Sequence, residues 1–202
     1  IAAWQFTQEL QVVLGHFDLI VGTEEEFHSA GGSEDTITAL KKVREITDGA
    51  LVCKLGPLGC AVFEGDIPDS LDDAEVFKGV RVQVMNVLGA GDAFMSGLLR
   101  GYLNGESWEQ ACAYGNACGA LVVSRHGCAP AMPSKEELDN YLSRAESVPS
   151  TDLDKDLQHL HRVTTRDHGW GELNIFAFDH RSQLEKMAID AGADLAQIPA
   201  VK

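Results

Sequence analysis

Residues Asn86 to Phe94 read N-V-L-G-A-G-D-A-F, three small residues and one carboxylate in a row. Before them Val80 to Met85 alternates as a strand does, and after them Phe94, Leu98 and Tyr102 recur every four residues, the spacing of one helical face. The spacing therefore predicts a strand-to-helix turn with Asp92 at the start of the helix. Gly89, Ala90 and Gly91 lack bulk, so their N–H groups can approach a charged oxygen, and the positive end of the helix dipole adds to that attraction. A carboxylate beside such an anion site can take the proton of an attacking hydroxyl while the amides hold the charge on a transferring phosphoryl group. A plain helix entry, with Asp92 as its cap and the glycines serving only the turn, accounts for the same four residues.

Three further segments bear on that choice. G-T-E-E-E-F at Gly22 to Phe27 follows the apolar run Leu19 to Val21, and K-L-G-P-L-G at Lys54 to Gly59 lies between the apolar runs 50–53 and 60–63. Downstream, Y-G-N-A-C-G-A-L-V-V-S-R-H-G-C-A-P-A-M-P spans Tyr114 to Pro133. Together with N-V-L-G-A-G-D-A-F-M-S-G-L-L-R-G, these ordered segments resemble the ribokinase, or PfkB, family of carbohydrate kinases. The wording around Asp92, the G-P-L-G-C after Lys54 and S-R-H-G-C-A-P-A-M-P are similar to the subfamily that acts on 5-dehydro-2-deoxygluconate in inositol catabolism.

The resemblance implies an α/β fold, the C-terminal half of a ribokinase-like three-layer sandwich. It implies ATP and Mg²⁺ as cofactors, a monovalent cation in some members, and a small sugar acid as the phosphoryl acceptor at its terminal hydroxyl. Asp92 would be the general base, with Gly89, Ala90 and Gly91 as the anion hole. Glu26 would hold Mg²⁺ through water, since Mg²⁺ keeps much of its hydration shell. Gly56 and Gly59 would let backbone approach the nucleotide and Lys54 would reach a phosphate, although a strand-end lysine pointing to solvent reads equally well. Asn116 would line the nucleotide pocket, or make a buried helix contact instead, and Gly127 would turn the loop beneath the base. The family's N-x-x-E asparagine falls at Thr23 here, which alters the expected metal-water coordination. Another family kinase, acting on ribose, 2-keto-3-deoxygluconate or a nucleoside, has the same mechanism. An aldolase-like lyase with a vestigial nucleotide-binding kinase half is a rival of another class.

The elements that must position these residues alternate. Phe17 to Val21 reads as a buried strand, Glu34 to Thr47 as a helix capped by Ser33, Leu51 to Leu55 as a strand, and Ala61 to Glu64 as another. Ser107 with Gln110, and Ser134 with Glu137, are capping boxes that start helices running to about Ser124 and Ala145. If the strands run parallel, the loops with Thr23, Gly56 and Gly89 gather beyond their C-terminal ends, where ligands collect in open α/β sheets.

The chain has 202 residues, 45% of them hydrophobic, enough for one domain and part of another. It begins at Ile1, and the resemblance implies that a first half carrying the sugar pocket and lid is missing, so a fragment with little turnover of its own is expected. The net charge of −15 argues against nucleic acid and anionic membranes as partners. Five cysteines without a C-x-x-C pair favour a reducing, cytoplasmic compartment. His159 and His161 lack a third ligand with supporting spacing, and a solvated segment is the expectation. A homo-oligomer is left open.

The kinase part is expected over 1–146. S-V-P-S-T-D-L-D-K-D is polar and lacks helical apolar spacing, so 147–164 reads as a linker. From 165 the chain resembles the start of an aldolase-type (β/α)₈ barrel fused behind some such kinases, with a strand at Leu173 to Phe178 and a helix from Ser182 to Ala191. Asp179, His180 and Arg181 would then stand at the catalytic strand end, or merely cap the next helix.

Overall fold

The computed structural model describes residues 3–144, 151, 153–165 and 190. The chain divides into two compact units, 1–166 and 167–202. The expected strand at Leu173 to Phe178, the helix after it and Asp179, His180 and Arg181 lie outside the described residues.

In the first unit, α1 (Ala3–Leu14) precedes β1 (Leu19–Thr23), α2 (Glu24–Gly31), α3 (Thr36–Arg44) and β2 (Ala50–Lys54). β3 (Gly59–Phe63) and β4 (Val76–Lys78) follow, then four helices: α4 (Ala90–Leu103), α5 (Trp108–Val123), α6 (Lys135–Leu142) and α7 (Lys155–Thr164). The four strands form one sheet in the order β1-β2-β3-β4. β1 and β2 are parallel, with Thr23 opposite Lys54, whereas β2–β3 and β3–β4 are antiparallel.

Because side chains alternate across a strand, β2 supplies both faces of the core. Leu51 and Cys53 pack with Phe27, Leu40 and Val43 of α2 and α3. Val52 points the other way, to Phe94, Leu98 and Cys112 of α4 and α5. The result is helices on both sides of the sheet, three layers in all. A third cluster joins α5, α6 and α7 through Leu121, Leu138, Tyr141 and Leu157. Burying a Leu or Val side chain in such a cluster contributes about 1.5–3 kcal/mol, so the apolar face of α7 is bound into the core of this unit.

Several local expectations change. α3 starts two residues later than expected, because Asp35 rather than Ser33 caps it, accepting from the Thr38 N–H at 2.8 Å. Val80 to Met85 forms no strand. The Met85 and Asn86 N–H groups instead donate to the Val123 carbonyl at the end of α5, so no ladder partner is engaged. Ser107 and Ser134 do cap α5 and α6, but the carboxylate of Glu137 points to Arg125 and His161. The segment read as a linker contains α7 in its second half, because Asp154 caps it through the Leu157 N–H and Leu157 is buried.

Candidate active site

The C-terminal ends of β1 and β2 bring two of the motifs side by side. Thr23 caps α2, accepting from the Glu26 N–H at 3.2 Å, while Glu26 Oε2 accepts from the Thr23 N–H at 2.6 Å. This reciprocal capping box satisfies two helix-terminal donors at once, and it fixes the Glu26 carboxylate at the strand end. The hydrogen bond from Thr23 is the main reason that carboxyl is held below the usual range; the charge of Lys54 adds to it. Glu26 is therefore an anion at neutral pH, and two-thirds of its side chain faces solvent.

Lys54 Nζ lies 3.5 Å from Glu26 Oε2, with only 19% of its side chain exposed. The same ammonium comes 3.4 Å from where a Cβ on Gly91 would stand. Lys54 thus turns inward, between Glu26 and the first turn of α4, and does not extend into solvent. A side chain at Gly91 would crowd the ammonium, whereas glycine leaves room there for a bound anion.

At the start of α4, Gly89 is the N-cap, with φ of 83° and no side chain to cap the helix. The Ala90 N–H donates to the Val87 carbonyl at 3.2 Å and is spent on the turn. The Gly89, Gly91 and Asp92 N–H groups have no acceptor among the described residues. Three unpaired donors, a helix dipole and Lys54 are the groups that could receive an anion such as a phosphate here. Asp92 stands exposed in the same turn, one residue past Gly91. Glu26 Oε1 and the exposed face of that carboxylate suit a hydrated Mg²⁺, the chemistry expected of a carboxylate donor near phosphate.

Asn86, which the sequence reading did not single out, ties this turn to the loop after α5. Its Oδ1 accepts from the Leu88 N–H at 3.0 Å and its Nδ2 donates to the Gly127 carbonyl at 2.9 Å. Gly127 has φ of 91° and turns that loop. A Cβ at Gly89 would come 2.4 Å from Cys128 Sγ, so the loop packs directly on the anion turn. An amide directly after a strand-like run, three residues ahead of G-A-G-D, is the signal that could have drawn attention to it.

Two expected nucleotide contacts are placed elsewhere. Asn116 is buried and its Nδ2 donates to the Phe77 and Lys78 carbonyls at 3.1 Å each, so the amide holds β4 to α5. Gly59 is buried against β4, where an added Cβ would lie 2.0 Å from the Phe77 carbonyl oxygen; its role is close strand packing. Gly56 has φ of 58° and open space around it, so it is the glycine of that segment that backbone approach by a ligand would use. A cavity of about 450 Å³ lies at the other end of the strands, lined by Asp18, Asp48, Glu64, Tyr102 and Trp108. It shares no residue with the Lys54 site.

The pfkB family of carbohydrate kinases matches residues 2–135. The chain belongs to that family. Residues 137–202 match a second family, an uncharacterized protein conserved in bacteria (DUF2090). A 5-dehydro-2-deoxygluconokinase of Photobacterium profundum is 32% identical over 142 residues, which cover 67% of this chain and 41% of that protein. Among solved structures, aminoimidazole riboside kinase from Salmonella enterica, complexed with aminoimidazole riboside and an ATP analog, is similar with a TM-score of 0.59 and 23% identity. That match covers 71% of this chain and 48% of that one. A putative ribokinase II from E. coli in complex with ATP and Mg²⁺ gives a TM-score of 0.58 at 23% identity, covering 68% of this chain and 42% of its own. The chain spans less than half the length of each of these relatives, and the shared fold is ribokinase-like.

Proposed function

We propose that this chain supplies the ATP-binding and catalytic-base half of a sugar-acid kinase. In that reading the whole protein transfers the γ-phosphoryl group of ATP to the terminal hydroxyl of 5-dehydro-2-deoxygluconate. The observation that carries it is the convergence of Glu26, Lys54 and Gly91 on the N-terminus of α4, one residue from Asp92. Membership of the pfkB family supports sugar phosphorylation, and the named relative supports the acceptor.

The chemistry follows from those positions. MgATP supplies the phosphoryl group and a good leaving group. Asp92 accepts the proton as the acceptor hydroxyl oxygen forms its bond to phosphorus and the bond to the ADP oxygen breaks. The Gly89 and Gly91 amides and the Lys54 ammonium hold charge on the transferring group, a contribution worth about 2.7–4 kcal/mol per well-placed donor in comparable anion holes. Glu26 would hold hydrated Mg²⁺, which when bound neutralises phosphate charge. Gly56 leaves backbone accessible beside the phosphates, and Gly127 shapes the loop next to the anion turn. The remainder of the reading is a kinase part over 1–146 and a second, aldolase-like part from 165; the family matches also divide the chain in two, with their junction at 135–137. A cytoplasmic setting and a small-molecule acceptor complete it, and among the described residues no helix is long and apolar enough to cross a membrane.

The test is ADP release by the whole protein with MgATP and 5-dehydro-2-deoxygluconate beside a panel of other sugars and sugar acids. Preferential turnover of that acid supports the assignment. Preference for another sugar keeps the mechanism and discards the acceptor.

A further inference from the structure

Helix α7 lies outside the residues matched to the kinase family and inside those matched to the second family. Its His161 nonetheless reaches the loop that packs on the anion turn. His161 Nδ1 is 2.9 Å from Glu137 Oε2, and Nε2 is 2.8 Å from the Pro130 carbonyl oxygen. Arg125 closes the cluster: its Nη2 donates to Glu137 Oε1 and its Nη1 donates to the Ala131 carbonyl at 3.1 Å. Glu137 is 0% exposed. A buried carboxylate is retained only when paired and hydrogen-bonded, so this one fixes the directions of both Arg125 and His161. Arg125 and His161 then hold consecutive carbonyls, Ala131 and Pro130, of one short turn. That turn follows directly on Gly127 and Cys128, which touch Asn86 and Gly89.

α7 is itself held at both ends. Asp154, its N-cap, accepts two hydrogen bonds from Arg144 at 2.8 and 2.9 Å. Near the C-terminus Thr164 Oγ1 lies 2.6 Å from Ser134 Oγ. With Leu157 buried in the core, the helix is a rigid mount for the imidazole.

We propose that His161 is a positioning residue for the nucleotide site: through Pro130 it sets the 125–131 loop against Gly89, and so sets how well the α4 N-terminus receives phosphate. The segment joined to the second family thereby tunes nucleotide affinity in the first. This rests on the kinase reading above. His161 stands too far along the chain of contacts to touch the reacting atoms, so its loss changes the KM for ATP and leaves the chemical step alone.

The experiment compares wild type, His161→Ala and His161→Gln in the whole protein, by steady-state kinetics with MgATP and the sugar acid and by amide hydrogen exchange of residues 125–131. Expected for His161→Ala is a rise of about fivefold or more in the KM for ATP, the size of one lost hydrogen bond. The KM for the sugar acid and kcat stay within about twofold, and the 125–131 amides exchange faster. Glutamine keeps a donor for the Pro130 carbonyl and recovers most of the ATP effect; it also serves if the alanine variant does not fold. An unchanged KM for ATP in a working kinase overturns this inference alone. Parallel losses in kcat and in both KM values show a merely structural residue and overturn it as well. A wild-type protein that phosphorylates no sugar overturns the kinase reading and this inference with it.

Discussion

Lys54 Nζ stands 3.5 Å from Glu26 Oε2 and 3.4 Å from the space a side chain on Gly91 would fill. One ammonium therefore links the end of β1, the end of β2 and the start of α4. In the function proposed above, it would exchange this carboxylate partner for a phosphate at the α4 N-terminus. Replacing it with Met keeps the stem and removes the charge. Lys54→Met in the whole protein is expected to raise the KM for ATP by about tenfold or more, the equivalent of one charge-assisted hydrogen bond, with overall stability little changed. Isothermal titration with a non-hydrolysable ATP analogue would check this, and unchanged affinity would place Lys54 outside the phosphate site.

The Thr23–Glu26 box predicts a pH-dependent helix start. Glu26 titrates below its ordinary value of 4.5 because the folded state stabilises its anion. Its contribution is therefore fully present above about pH 4.5 and is lost as pH falls through the lowered value. Thr23→Ala removes the reciprocal cap and is expected to cost about 1 kcal/mol at neutral pH. Thermal melts of wild type and Glu26→Gln should differ at pH 7 and converge toward pH 3. A constant gap over that range would contradict the assignment.

Much of this site could be read from the sequence, because its motifs are local. K-L-G-P-L-G and G-T-E-E-E-F each sit where a strand gives way to a turn or a cap, and N-V-L-G-A-G-D sits at the start of a helix. The parallel β1–β2 pair then sets Thr23 opposite Lys54. What could not be read depends on pairings distant in sequence. The role of Asn116 is set by β4, 38 and 39 residues earlier, and that short strand has no periodic signature. His161 meets Glu137 and Pro130 only because α7 folds back over 24 and 31 residues. Its neighbourhood reads as solvated charge until Leu157 is known to be buried.

Gly59 supplies a direct check on one corrected role. Its φ is 108° and an added Cβ would overlap the Phe77 carbonyl, so Gly59→Ala should destabilise the fold by about 1–3 kcal/mol through strain at β3–β4. Chemical denaturation would register this as a lower midpoint with an unchanged slope. A variant as stable as wild type but deficient in ATP binding would return Gly59 to the nucleotide site.

Cys128 differs from the other thiols. Cys53 and Cys118 are buried, and burial pushes each up to about 12, which makes them poor nucleophiles. Cys128 is half-buried and its Sγ abuts Gly89. Under native conditions iodoacetamide should label Cys128 first, with MgATP slowing the reaction by ordering the turn beneath it. Peptide mass spectrometry reads both effects; equal labelling of Cys53, or no protection by MgATP, would contradict the packing described.

The role of Asp92 as proton acceptor is the centre of the account, and one measurement addresses it most directly. Sugar-dependent ADP release by the whole protein should fall about 10²–10⁴-fold in Asp92→Asn, with the KM for ATP within about threefold of wild type. Turnover by Asp92→Asn at the wild-type rate would contradict it.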